Sequence, residues 1–310
     1  MSVALYYPTT APERPLVMGP FALHAAVSAP AAASMKGLIL LSHGTGGSEL
    51  GHSSLAQALA RHGYLVAAVR HPGDNWQDRS LLQQGVSAYF SQRPQHLSRV
   101  LDALLQDPAW GPRIAADADG PRVGALGHSA GGTSVLALAG GEPDPQRLLA
   151  HCSKHRVDDP IFCSLGRSTA AASAPAITTD TAGRDAQWPM PPLTDRRVRA
   201  VVALAPVGVI FSARSLQGIR IPVAIYGAQR DRFLVPRFHA QWIAYNMPTA
   251  EVHEVRDAWH FAFMDTPVMP IPTEDGDLAA DPPGFDRARF LAGLTRELPA
   301  FFDKALRVDQ

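Results

Sequence analysis

The sequence predicts an α/β fold, with a mostly parallel central sheet, helices on both faces and one inserted cap. Three observations carry that expectation. Short, continuously apolar runs alternate with stretches whose apolar residues recur at helical spacing, as expected of strands buried on both faces. The runs end in turns rich in Gly, His or Asp, and one such turn joins strand to helix through Gly127-x-Ser129-x-Gly131. Of 310 residues, 46% are hydrophobic and 18% charged, which is the composition of a globular chain with a sizeable core.

Taken in order, Gly37–Ser42 reads as a strand that stops at His43-Gly44-Thr45-Gly46-Gly47. Ser53–Arg61 follows as a helix with Leu55, Ala56, Leu59 and Ala60 on one face, and Gly63 provides its stop. Tyr64–Val69 is a second buried strand, ending in Arg70-His71-Pro72-Gly73-Asp74. A helix is expected around Gln95–Leu105, where Leu97, Val100, Leu101, Leu104 and Leu105 share a face. Arg122–Leu126 then leads into Gly127-His128-Ser129-Ala130-Gly131-Gly132 and a small-residue helix, Thr133–Ala139.

The alternation breaks between about Gly141 and Arg197, where prolines, scattered histidines and an aperiodic Ala/Ser/Thr stretch, Ser168–Thr181, take over. It resumes with strands at Ala200–Ala205 and Pro222–Tyr226, a helix near Pro236–Tyr245, and a strand at Ala250–Val255. Asp257-Ala258-Trp259-His260 follows the last strand. Pro267–Pro283 is a second Pro/Asp-rich insertion, and Asp286–Leu306 a closing helix. The expected organisation is one core, residues 1–140 with 199–310, interrupted by a cap at 141–198. A long loop inside a compact domain is most often a functional lid.

Charge and hydropathy exclude several function classes. The chain carries 28 basic and 28 acidic residues, so no basic surface is on offer to neutralise phosphates, and nucleic acid is not an expected partner. No apolar run approaches the roughly 18 residues of a membrane span. The opening MSVALYYPTTAPERP does not read as a secretory leader, so the chain as written reads as cytoplasmic. A homo-oligomer is compatible with the sequence.

Ser129 is the candidate nucleophile. A serine hydroxyl attacks only when exposed beside a base, and a strand–turn–helix elbow achieves that exposure, with glycines where side chains would strike neighbouring backbone. Here the elbow follows RVGAL and precedes TSVLALA. The plainer alternative is a Gly-rich turn with an incidental serine. The chain order Ser…Asp…His then selects the base. Five histidines follow Ser129; His151 and His155 fall in the cap, His239 in a helix and His253 within a strand, which leaves His260 just beyond the final strand. The expected oxyanion donors are the backbone N–H groups of Ala130 and, from the loop after the first strand, Thr45; a flexible turn at His43–Gly47 is the alternative.

These motifs resemble the α/β-hydrolase superfamily. Within it the chain is similar to bacterial proteins described as predicted dienelactone hydrolases and to platelet-activating-factor acetylhydrolases, through Leu40–Gly47, His62–Asn75, Gly127–Gly132 and Asp257–Phe263. True dienelactone hydrolases use a cysteine where this elbow carries Ser129. The resemblance therefore implies an α/β-hydrolase fold and a serine esterase for short or modified acyl groups. In the acetylhydrolases the orienting acid follows the strand after the nucleophile's, but that stretch reads Ala205-Pro206 here. The next strand's loop supplies Asp231, the expected acid; a surface aspartate between two arginines is the alternative, and Asp257 is the rival carboxylate.

Other residues are weighed beside these. His71 is expected at the site entrance, with a structural turn around Asp74 as the alternative. Gly44, Trp259 and Phe261 are candidate substrate contacts, and Phe261, Phe263 and Met264 could equally pack in the core. His43 and His128 are expected to organise backbone. Cys152 and Cys163 are expected to form a disulfide that pins the cap, which would place the protein in an oxidising compartment, exported by a leader outside this sequence. Two free thiols, or a zinc site with His151 and His155, are the alternatives; adjacent His151 and Cys152 make poor joint ligands, so no metal is expected. The expectation is a carboxylic-ester hydrolase acting through an acyl-enzyme on small-molecule esters of short to medium acyl chain, without cofactor. An acyltransferase or peptidase with the same triad, and an inactive hydrolase scaffold that only binds, are the rivals. Acceptor panels test the first rival and fluorophosphonate labelling of Ser129 the second.

Overall fold

The computed structural model describes residues 1–164, 190–273 and 276–308. Seven strands form the central sheet: β1 (Val3–Tyr6), β2 (Leu38–Ser42), β3 (Leu65–Val69), β4 (Val123–His128), β5 (Val198–Leu204), β6 (Val223–Ala228) and β7 (Glu251–Val255), in the order β1-β3-β2-β4-β5-β6-β7. All neighbours pair in parallel except β1, which runs antiparallel to β3. This parallel array puts the carboxyl ends of β2 to β7 along one edge, where ligands of open α/β sheets gather.

The strands are apolar throughout because both faces are covered, and side chains alternate between them. On one face Leu38, Leu40, Leu65, Ala67, Val69, Val123, Ala125, Val201 and Ala203 pack with α2 (Val86–Gln106) and α3 (Ala130–Leu138). On the other Ile39, Leu41, Val66, Ala68, Leu126, Val202 and Leu204 pack with α1 (Ser53–Arg61) and the closing helix α7 (Arg287–Ala305). The strand β7 is the sheet's far edge; its Glu251, Val252 and Glu254 are exposed, and His253 stacks on Tyr226 of β6 with ring centroids 4.2 Å apart.

The elements depart from the sequence expectation in two places. The helix expected to begin at Gln95 runs from Val86, straight through Pro94. Proline removes one backbone bond at a cost of about 3 kcal/mol. Tyr89, Phe90, Leu97, Val100, Leu101 and Leu104, all buried on the sheet, offset that cost. The first 36 residues, in which no element was expected, supply β1 and a hairpin, Arg14–Met18 with Phe21–Ala25.

The described part of the 141–198 insertion contains α4 (Pro145–His155) and α5 (Pro160–Ser164). Leu148, Cys152, Phe162 and Cys163 share the core cluster of the sheet. The Ala/Ser/Thr stretch Ser168–Thr181 lies outside the described residues. Ahead of α6 (Ala240–Asn246), His239 meets the insertion directly. Asp159 Oδ2 accepts hydrogen bonds from His151 Nε2 at 2.9 Å and from His239 Nε2 at 2.8 Å. Burial raises the Asp159 carboxyl, but these two donors outweigh it and bring it down to about 2.

Candidate active site

Ser129 stands between the end of β4 and the start of α3 at φ 56° and ψ −121°. A non-glycine residue on the positive-φ side costs of order 1–3 kcal/mol and persists only where its surroundings fix it. They do so here. The Ser129 N–H donates to the Leu204 carbonyl of β5 at 2.8 Å. A Cβ on Gly131 would run into the Ser42 carbonyl of β2, and one on Gly127 into the Gly131 carbonyl. The elbow is thus wedged between two neighbouring strand ends, and glycine is required at both positions.

His260 opens a single 3-10 turn, His260–Phe263, beyond β7 and is buried. Its Nδ1 lies 2.7 Å from Asp231 Oδ2. A carboxylate accepts, so in the neutral imidazole the proton sits on Nδ1 and the lone pair on Nε2. Asp231 comes from the loop after β6 and is 7% exposed, with Oδ1 taking the Leu234 N–H at 2.8 Å. It is therefore not a surface aspartate between arginines. Asp257, the rival carboxylate, instead pairs with Arg230 at 2.6 Å, and both are open to solvent.

The His260 segment is fastened along its length. His128 Nε2 donates to the His260 carbonyl at 2.9 Å, and His52 Nδ1 to the Phe263 carbonyl at 2.9 Å. Asp265 accepts the Ser54 N–H at 2.8 Å at the start of α1. His128 directly precedes Ser129, so the turn that begins at His260 is tied to the elbow's own strand. Burial holds His52 down to about 4 and His128 well below the usual histidine range, so both remain neutral donors.

The His43–Gly47 loop passes on the other side of the serine; a Cβ on Gly44 would stand 3.2 Å from Ser129 Cβ. Ala130 is the first residue of α3, where amides have no intrahelical acceptor. This arrangement sets a hydroxyl, an imidazole–carboxylate pair and first-turn amides at one sheet edge. Residues 38–269 match the family model described as the alpha/beta hydrolase family. The chain belongs to the α/β hydrolase family. No curated protein matches it. Among solved structures, a ferulic acid esterase from Streptomyces cinnamoneus is similar in fold. It has a TM-score of 0.54 and 23% identity over 92% of this chain and 72% of that one.

Within this α/β hydrolase the remaining expected residues separate. His71 is wholly buried and does not line an entrance. Its ring is enclosed beneath the loop, with Nε2 2.8 Å from Ser42 Oγ and Nδ1 3.3 Å from His96 Nδ1. Burial, before the charge of Arg93, holds it well below the usual range. Trp259 and Phe261 are half-buried beside His260. The Arg232 guanidinium stands 4.9 Å from the Trp259 ring centre, and Phe233 lies against both His260 (5.3 Å) and Phe261 (5.1 Å). Phe263 and Met264 are core residues.

Cys152 and Cys163 are joined by a disulfide. With the sulfurs bonded to one another, neither is a thiolate ligand, although His151, Asp159 and Cys163 lie within 4.8 Å of each other. His155 Nδ1 lies 3.2 Å from Asp158 Oδ2, and its ring centre 5.2 Å from that of His151. The residues that sequence reasoning passed over are Tyr89, Arg93, His52 and Asp159. Arg93 did leave a signal: a charge on the buried face of α2, four residues from Tyr89, requires a partner. That partner is Asp74, and neither side chain of the pair is exposed.

Proposed function

We propose that the chain is a serine carboxylic-ester hydrolase, with Ser129 as nucleophile, His260 as general base and acid, and Asp231 as the residue that orients His260. The observation that carries this reading is the buried His260–Asp231 hydrogen bond at 2.7 Å, which in the neutral imidazole places the lone pair on Nε2. In the proposed cycle Nε2 takes the Ser129 proton as Oγ attacks the ester carbonyl. The oxyanion is received by the N–H groups of Ala130 and Thr45. His260 then protonates the departing alcohol, and a water delivered through the same imidazole hydrolyses the acyl-enzyme.

Short to medium acyl chains are the proposed substrates, bounded by the rings of Phe233 and Phe261 and the half-buried Trp259. The ferulic acid esterase neighbour adds aromatic acyl groups to the panel worth testing. The test is a series of p-nitrophenyl esters from two to sixteen carbons, with methyl ferulate alongside. A burst of product equal to the enzyme concentration, with four-carbon esters turned over faster than sixteen-carbon ones, supports the reading. Full activity in Ser129→Ala overturns it.

A further inference from the structure

A trans peptide unit is planar, so the direction of a carbonyl fixes that of the N–H that follows it. In the loop after β2, two successive carbonyls are held. The His43 carbonyl accepts from Arg93 Nη2. The Gly44 carbonyl accepts from His43 Nδ1 at 2.7 Å and from the Gly47 N–H at 3.1 Å. The Thr45 N–H shares a plane with the Gly44 carbonyl and therefore points the opposite way. The next amide, the Gly46 N–H, donates to Asp74 Oδ1 at 2.8 Å. Tyr89 gives its single hydroxyl proton to Asp74 Oδ2 at 2.8 Å, so its oxygen receives the Thr45 hydroxyl at 2.7 Å. Arg93 Nη1 pairs with that same Asp74 oxygen. Arg93 Nη2 also donates to Ser42 Oγ of β2 (3.3 Å), and Arg93 Nε to Ser134 Oγ of α3 (3.4 Å). One guanidinium thus joins the loop, the turn after β3, the end of β2 and the helix behind the serine.

Resting on the serine-esterase reading above, we propose that Arg93, with Asp74 and Tyr89 as its partners, is the positioning residue that aims the loop's oxyanion donor. A buried ion pair is weak evidence for stability, because well-packed apolar side chains often serve as well. What an apolar group cannot do is hold the His43 carbonyl, and with it the Gly44 peptide that leads into the Thr45 N–H, in a single direction. Donors stabilise an oxyanion only when aimed at the place it will occupy, and small misplacements lower rates about 10²-fold.

The test compares Arg93→Lys, Tyr89→Phe and Ser129→Ala with the wild-type enzyme. Four quantities are measured: kcat and KM for a short p-nitrophenyl ester, the pH profile, inhibition by a trifluoromethyl ketone that mimics the tetrahedral adduct, and the thermal midpoint. Arg93→Lys keeps a cation beside Asp74 but loses the fork. Its kcat should fall about 10²-fold with KM little changed, as expected when an interaction made only in the transition state is lost. The inhibition constant should rise in proportion, while the pH profile set by His260 stays where it is. Tyr89→Phe should show the same pattern more weakly, and it decides the matter if Arg93→Lys does not fold. Wild-type kcat and inhibition in both variants overturns the proposal, as does a lowered thermal midpoint with raised KM and unchanged inhibition. Full activity in Ser129→Ala overturns the esterase reading itself, which keeps the two failures apart.

Discussion

Lowering the pH should unfold this chain from within, through histidines that are enclosed and uncharged. His43, His52, His71 and His128 are all but inaccessible to solvent. Burial is the leading cause in each case; it holds His43 at about 3, His52 at about 4, and His71 and His128 well below the usual range. In the unfolded chain each returns to about 6.5. Between that value and the depressed native ones, the unfolded state binds more protons, so stability is complete above about pH 6.5 and falls as the pH drops through this window. One unit below 6.5 each histidine costs roughly 1–2 kcal/mol, and the four together about 5 kcal/mol. Total stabilities run to about 5–15 kcal/mol. An acid titration followed by near-UV circular dichroism and tryptophan fluorescence should therefore show a midpoint between about pH 4 and 5.5, with uptake of about four protons across the transition. A midpoint below about pH 3.5, a transition linked to one proton, or native imidazole resonances from these residues titrating near 6.5 would refute the reasoning.

Three further outcomes follow from the same geometry. Asp231→Asn should keep the fold and lower kcat by about 10⁴-fold, whereas Asp257→Asn should leave the rate near normal; steady-state kinetics on a short ester decides between the two carboxylates. Replacing both Cys152 and Cys163, whose bond spans a sequence separation of 11, should cost about 3 kcal/mol, read from the midpoint of urea unfolding. Gly131→Ala should abolish activity and destabilise the chain, because the new methyl would meet the Ser42 carbonyl and stand 2.7 Å from that of His43. Wild-type turnover in that variant would show that the elbow has room to shift.

Much of this fold was legible because its strands are buried on both faces and α1, α2 and α7 on one. Ser53–Arg61 has the same bounds in sequence and structure, and the strand starts and ends differ by a residue or two. The pairing of His260 with Asp231 followed from chain order and from strand ends. What escaped was whatever tertiary neighbours decide. β1 is a half-buried strand of four residues, too short to display a period. Pro94 masked the first two turns of α2, and only the packing of Tyr89 and Phe90 reveals them. His71 follows a strand just as His260 does, so its position alone suggested the entrance; its burial depends on His96, twenty-five residues away and on another element.

The far edge of the sheet bears on how copies of the chain meet. An edge strand offers unpaired backbone groups that a second molecule can adopt as a template. Here that strand is β7, with Glu251 and Glu254 standing exposed along it and His253 held by Tyr226 and Glu251. A second copy docking strand to strand would bring Glu251 and Glu254 of each copy to one seam, one glutamate on either face of the strand, and the like charges would oppose the match. The strand that delivers His260 is thus charged against recruitment into a continuous intermolecular sheet. Replacing both glutamates with valine should turn that margin into an aggregation-prone surface, detectable as rising light scattering at neutral pH.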